Sequence, residues 1–151
     1  MTSLVRRFLK TAILFLVAGL AIGAWMLVQR ELAHGAPSPY VTSAHTHAIL
    51  VGFVMMMILG VAQWMFPRPA KGDERYRPAL AEAAYWLLTG GTAVRVVGEL
   101  LHARSDAPML RWIVVLAGLT QVAGLLTFFA NMWPRIRGLG SKVREDGGER
   151  F

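Results

Sequence analysis

Cysteine is absent from the 151 residues, and with it go disulfides, thiolate metal sites, iron–sulfur clusters and covalent c-type haem attachment. Any metal or cofactor must therefore rest on His, Met, carboxylates or backbone groups. Acidic residues are also scarce, with 9 Asp plus Glu against 16 Lys plus Arg. The basic excess is gathered into segments rather than spread, which argues for membrane topology and against a nucleic-acid partner. Histidine occurs only four times. No internal repeat is visible.

What the chain has in abundance is apolar surface. Hydrophobic residues make up 55% of it, too much for a soluble domain whose exterior must be wetted, and the lipid bilayer is the expected partner. A helix needs about 20 residues to cross roughly 30 Å of hydrocarbon. Four apolar runs meet that length, at about 8–29, 41–66, 79–101 and 109–133. The first follows a basic start like that of a signal peptide, yet its uncharged stretch from Thr11 to Gln29 is long enough to span, so a retained helix is expected. Helix breakers fall between the runs: Gly35, Pro37 and Pro39, then PRPAKGDERYRP from Pro67 to Pro78, then the short turn from His102 to Pro108. The expected organisation is an all-α membrane protein. Residues 1–137 form its four-helix transmembrane domain, and residues 138–151 form a polar, Gly-rich tail expected to be disordered.

The basic residues sort by side. Arg6, Arg7 and Lys10 precede the first run; Arg68, Lys71, Arg75 and Arg77 fill the second connection; Arg135, Arg137, Lys142, Arg144 and Arg150 lie in the C-terminal segment. The opposite face holds Arg30, Arg104 and Arg111. The positive-inside rule then predicts both termini in the cytoplasm of a bacterial or archaeal cell, in its inner membrane.

On that topology the second run enters from the outside through AHTHAILVGFVMMMILGVAQWMFP, and His45 and His47 lie about 6–9 Å below the interface. Residues two apart on an α-helix are about 200° apart around its axis, so the two imidazoles face nearly opposite ways and do not readily chelate one ion. Such a pair suits one planar cofactor on each side of the helix. Haem fits: imidazole is a common axial ligand and the macrocycle is apolar. Ala48 and Gly52 leave room for a ring edge. With no Cys for attachment, the haem would be b-type. Met55, Met56, Met57 and Met65 read as packing residues rather than ligands. Gly19 and Gly23 form a GxxxG, a mark of close helix contact.

The segment resembles the tenth helix of the main subunit of haem–copper oxidases. An His-x-His pair near the outer end is followed there by small residues and an aromatic–Phe–Pro corner, matched here by His45, His47, Gly52, Gly60, Trp64, Phe66 and Pro67. The resemblance implies that His45 and His47 ligate two different haems. The family subunit has twelve helices in three similar arcs, and four helices per chain imply a homotrimer with haem at its interfaces. The family's copper ligands, a histidine on another arc and an adjacent His-His pair, have no counterpart here, and copper is not expected. The implied role is electron transfer or haem redox chemistry with an electron donor that the sequence does not identify. A compact NO or O2 reductase, a gas or haem sensor, and an accessory subunit of a larger complex remain alternatives.

Arg95 and Glu99 stand four apart on the third run, a pairing geometry. Arg95 lies near 9 Å deep, at the level of the histidines. Each charge would cost roughly 2.5–3.5 kcal/mol at a helix centre, so a partner is required. One reading gives Arg95 a haem propionate; the other gives it Glu99 alone. Arg104 resembles a propionate-binding arginine of the family, and Arg111 is a second candidate beside it. Glu82, Tyr85 and Trp86 could line a proton route or anchor the interface, and Gln63, Gln121, Thr127 and Asn131 read as interhelical hydrogen-bonding residues.

Overall fold

Proline decides where three of the four helices begin. A computed structural model of the chain describes residues 3–66, 77–136 and 148. Its helices are α1 (Ser3–Glu31), α2 (Pro39–Met65), α3 (Pro78–His102) and α4 (Pro108–Met132), the last ending in a 3-10 turn at Trp133–Arg135. No strand is present among the described residues. Pro39, Pro78 and Pro108 each occupy the first helical turn, where a missing N–H costs nothing. The residues before them, Ser38, Arg77 and Ala107, have ψ of 142°, 114° and 125°, extended as a following proline requires. α1 stops at a left-handed residue, His34 (φ 52°), after which the Gly35 N–H donates back to the Gln29 carbonyl at 3.1 Å. Pro67, the basic residues Arg68, Lys71, Arg75, Arg137, Lys142, Arg144 and Arg150, and the tail but for Gly148 lie outside the described residues.

Three helices, α1, α2 and α4, are long and apolar enough to cross a membrane. α3 has the length, 25 residues, but carries Glu82, Arg95 and Glu99. Arg95 and Glu99 are tolerated where α3 packs against both α2 and α4, burying residues from Ala81 to His102, whereas Glu82 is exposed and pairs with Arg7. Apolar side chains of the outer helices, including Leu14, Val17 and Leu20 on α1 and Leu119, Val122 and Leu126 on α4, are exposed, as a lipid-facing surface requires.

Where lipid surrounds the protein, helices associate by close packing rather than by expulsion of water, and glycines mark the α1–α2 and α3–α4 seams. The GxxxG of α1 is used within the chain. A Cβ on Gly19 would lie 2.5 Å from Ile49 Cδ1, and one on Gly23 would lie 2.8 Å from the His45 ring. Between α3 and α4, a Cβ on Gly91 would stand 3.1 Å from the Ala117 carbonyl oxygen and from the Gln121 nitrogen. At the lower end, where α2 finishes and α3 begins, Phe8, Met56, Leu59, Leu88 and Phe128 close the core, with Phe8 edge-on to Tyr85 at 5.1 Å and to Phe128 at 6.0 Å. Met56 packs there without exposure. The buried Arg135 guanidinium donates to the main-chain oxygens of Gln63 (3.0 Å) and Phe66 (2.9 Å), satisfying carbonyls at the end of α2 with the charge its dipole favours.

Adjacent glycines on α3 give a matched test. Gly91→Leu should destabilise the detergent-solubilised protein by about 1–3 kcal/mol or more through overpacking against backbone. Gly90→Leu, whose Cβ meets nothing within 4 Å, should be neutral or stabilising by up to about 1 kcal/mol through helix propensity. Thermal unfolding of the pair checks this; equal losses would refute the packing assignment.

Candidate functional site

The upper end of the bundle, where α2 begins and α3 finishes, is built differently. Its apolar cluster is small, Ala44, Ala48 and Val96 with Ile22 and Leu100 against them, and beside it lies a layer of polar side chains. Glu99 is at the centre with 2% of its surface exposed. Its Oε1 accepts from Ser43 Oγ at 2.8 Å and from Arg95 Nε at 3.1 Å. Arg95 Nη1 donates to Gln121 Oε1 at 3.1 Å, and Gln121 Nε2 donates to Thr92 Oγ1 at 3.0 Å. The chain of contacts therefore ties α2 to α3 and α3 to α4. Glu99 Oε2 is buried without a hydrogen bond and lies 3.6 Å from His47 Nδ1.

Both histidines of the HTH stretch are in this layer, and they face different helices. His45 Nδ1 lies 2.9 Å from the Gly19 carbonyl oxygen of α1. His47, turned towards α3, has Nδ1 2.8 Å from the Ser43 carbonyl oxygen and 3.3 Å from Ser43 Oγ. A carbonyl oxygen only accepts, so Nδ1 carries the proton in each ring. The neutral imidazole then has its lone pair on Nε2. Neither Nε2 has a hydrogen-bond partner among the described residues. This is the second-sphere arrangement that metal-bound histidines use to fix tautomer and ring orientation. The His47 side chain keeps 20% of its surface exposed, so the ring can be approached from outside the bundle.

The spacing argument anticipated two directions for the imidazoles and a shared depth for Arg95, and the structure brings His47, Arg95 and Glu99 together. It does not bring in the other arginines. Arg111 Nη2 pairs with Asp106 at 3.2 Å on the surface, and Arg104 lines a separate cavity that neither histidine of the pair lines. His102 is buried and stacked on Tyr40 with ring centroids 4.0 Å apart; its Nδ1 is 3.8 Å from Asp106. At the lower end Glu82 pairs with Arg7 at 2.8 Å and Tyr85 OH shares a 2.8 Å hydrogen bond with Thr11. Asn131 Oδ1 accepts from the Arg77 backbone N–H at 2.8 Å. Ser43 escaped the sequence reading. Its place four residues before His47, facing a glutamate on another helix, was the available clue.

The sequence also carried no sign of a π-helical segment. From His47 to Met55 α2 winds with i→i+5 hydrogen bonds before returning to α-helix at Met56. Wide turns of this kind are frequent at functional sites, and this one starts at the second histidine. Among the described residues no three His, Asp or Glu side chains gather as a metal cage. What the layer offers is two singly presented imidazoles, one of them beside a carboxylate.

Long apolar helices around a polar layer define a helical membrane protein. The chain belongs to the family described as Domain of unknown function (DUF8744), whose model matches residues 2–135. No curated protein and no solved structure matches it.

The ion pair gives a direct test of the layer. Arg95→Met leaves Glu99 buried without its cation, a change that costs about 3–5 kcal/mol in comparable pairs. Combining it with Glu99→Gln should recover a large part of that loss. Thermal or denaturant unfolding in detergent measures both, and a double variant no more stable than the single one would show that Arg95 acts by packing rather than by charge.

Proposed function

We propose that the chain is a membrane b-type haem protein in which His45 and His47 are axial ligands, working in electron transfer or haem redox chemistry. The observation that carries this reading is the pair of Nδ1 contacts to main-chain carbonyl oxygens, 2.9 Å for His45 and 2.8 Å for His47. Each ring spends its Nδ1 proton on a main-chain carbonyl and keeps an Nε2 lone pair on a different side of α2.

The surrounding residues fit an axial role. Glu99 Oε2 lies 3.6 Å from His47 Nδ1, a position from which outer carboxylates orient ligating imidazoles. Arg95 commits Nε and Nη1 within the protein, so Nη2 remains for a propionate, and the two sequence readings of Arg95 are compatible. Haem, when bound, supplies a one-electron iron centre; the chain supplies tautomer, orientation and charge. The resemblance to one arc of the haem–copper oxidase main subunit supports assembly as a homotrimer of twelve helices. In that assembly α3 crosses the bilayer between α2 and α4, both termini are cytoplasmic, and haem lies between protomers.

The test is an absorption spectrum of the detergent-purified protein, oxidised and dithionite-reduced, with and without CO, together with its native mass. A reduced b-type spectrum unmoved by CO in a trimer is the expected result. His45→Ala and His47→Ala should each lower haem content or convert the spectrum to a high-spin, CO-reactive form. Haem content and spectrum surviving both substitutions would overturn the ligand assignment.

A further inference from the structure

At the upper end, α1, the connection around Pro37 and the end of α3 enclose a cavity of about 480 Å³. That size lies within the range of small-molecule sites, roughly 300–1,000 Å³. Ala21, Ile22 and Trp25 of α1 face Leu100 and Leu101 of α3 across it, and Arg104 stands in its wall where α3 ends. It is therefore an apolar slot with a cation at the level of the helix ends. Indole side chains favour that level in membrane proteins.

The charges at this end do not cancel. Three arginines, Arg30, Arg104 and Arg111, share the two connections with two carboxylates, Glu31 and Asp106. Arg30 pairs with Glu31 at 2.7 Å and Arg111 with Asp106 at 3.2 Å. The Arg104 guanidinium has no hydrogen-bond or ion-pair partner among the described residues. An unneutralised guanidinium beside an apolar slot is complementary to an anion carried on an apolar chain, and a guanidinium matches the geometry of phosphate.

We propose that this cavity binds an anionic phospholipid of the surrounding bilayer, its phosphate on Arg104 and an acyl chain against Ala21, Ile22, Trp25 and Leu101. The choice of an anionic over a zwitterionic lipid follows from the charge count: no carboxylate is left here for a choline or ethanolamine group. A guanidinium standing between helix ends gives a headgroup phosphate a charge-assisted hydrogen bond. The site is separate from the histidine layer, so it stands or falls independently of haem.

The experiment uses the full chain, delipidated in a neutral detergent and titrated with phosphatidylglycerol, phosphatidylcholine or inorganic phosphate. Bound lipid is followed by native mass spectrometry and stability by thermal unfolding. Phosphatidylglycerol should be retained and should raise the unfolding temperature saturably. Arg104→Gln should weaken its binding roughly 10- to 100-fold, as loss of a charge-assisted hydrogen bond requires. Ala21→Phe, which fills the slot and keeps the charge, should weaken it as well, whereas Arg111→Gln should not. Equal binding of phosphatidylcholine, full binding by Arg104→Gln, or the same stabilisation from inorganic phosphate alone would overturn the proposal.

Discussion

A carboxylate held away from water sets the terms for the upper half of this molecule. Glu99 has 2% of its surface exposed, in a protein whose outer faces are apolar, and a charge in such a place is tolerated only with compensation. The compensation comes from three helices at once. Ser43 on α2 and Arg95 on α3 both reach Oε1, and Gln121 on α4 holds Arg95 from the far side. Sliding α2 or α4 along α3 by one turn would separate these groups, so the carboxylate fixes register as well as charge. His47 enters the layer through the same element as Ser43, one turn further on, and its position next to Oε2 follows from that register.

The two ends of the bundle are packed in different ways. The lower end is closed by large apolar side chains, Phe8, Met56, Leu59, Leu88 and Phe128, and its polar groups pair, Arg7 with Glu82 and Thr11 with Tyr85, with Asn131 Nδ2 the exception among the described residues. Arg135 completes it by covering the carbonyls that end α2. The upper end has small residues at its contacts, leaves Glu99 Oε2 and both His102 nitrogens without hydrogen bonds, and keeps a cavity. Unsatisfied polar atoms in a closed space are costly. Three of the four such buried atoms among the described residues lie at the upper end, which therefore forgoes more stability than the lower.

Much of this was legible from the residues because it rests on local chemistry. Helix limits followed from Pro39, Pro78 and Pro108, and the 200° step placed His45 and His47 on different neighbours. The i,i+4 spacing of Arg95 and Glu99 gave their pairing. What was not legible depends on which helix lies beside which. The Gly19–Gly23 motif announced a close contact, but whether its partner would be another chain or α2 is a question of tertiary packing. Arg135 was one more cation in a basic segment until the fold put it under α2. α3 looked like a span of the same kind as the others, yet Arg95 and Glu99 depend on the contacts it makes with both α2 and α4.

The π-segment links these observations. In an α-helix, positions four apart drift about 40° around the axis at each step, so a row of small residues at that spacing would wind out of its seam within a few turns. α2 buries Ala44, Ala48, Gly52 and Met56 at that spacing. The wider turn from His47 to Met55 reduces the drift and keeps the row against its neighbours; a Cβ on Gly52 would lie 2.5 Å from the Phe15 ring of α1. Because the widening starts at His47, it leaves the α-helical relation of His45 to His47 intact above it while holding the seam below. A regular α-helix would have to give up either that contact with α1 or the approach of His47 to Glu99, and the irregular winding keeps both.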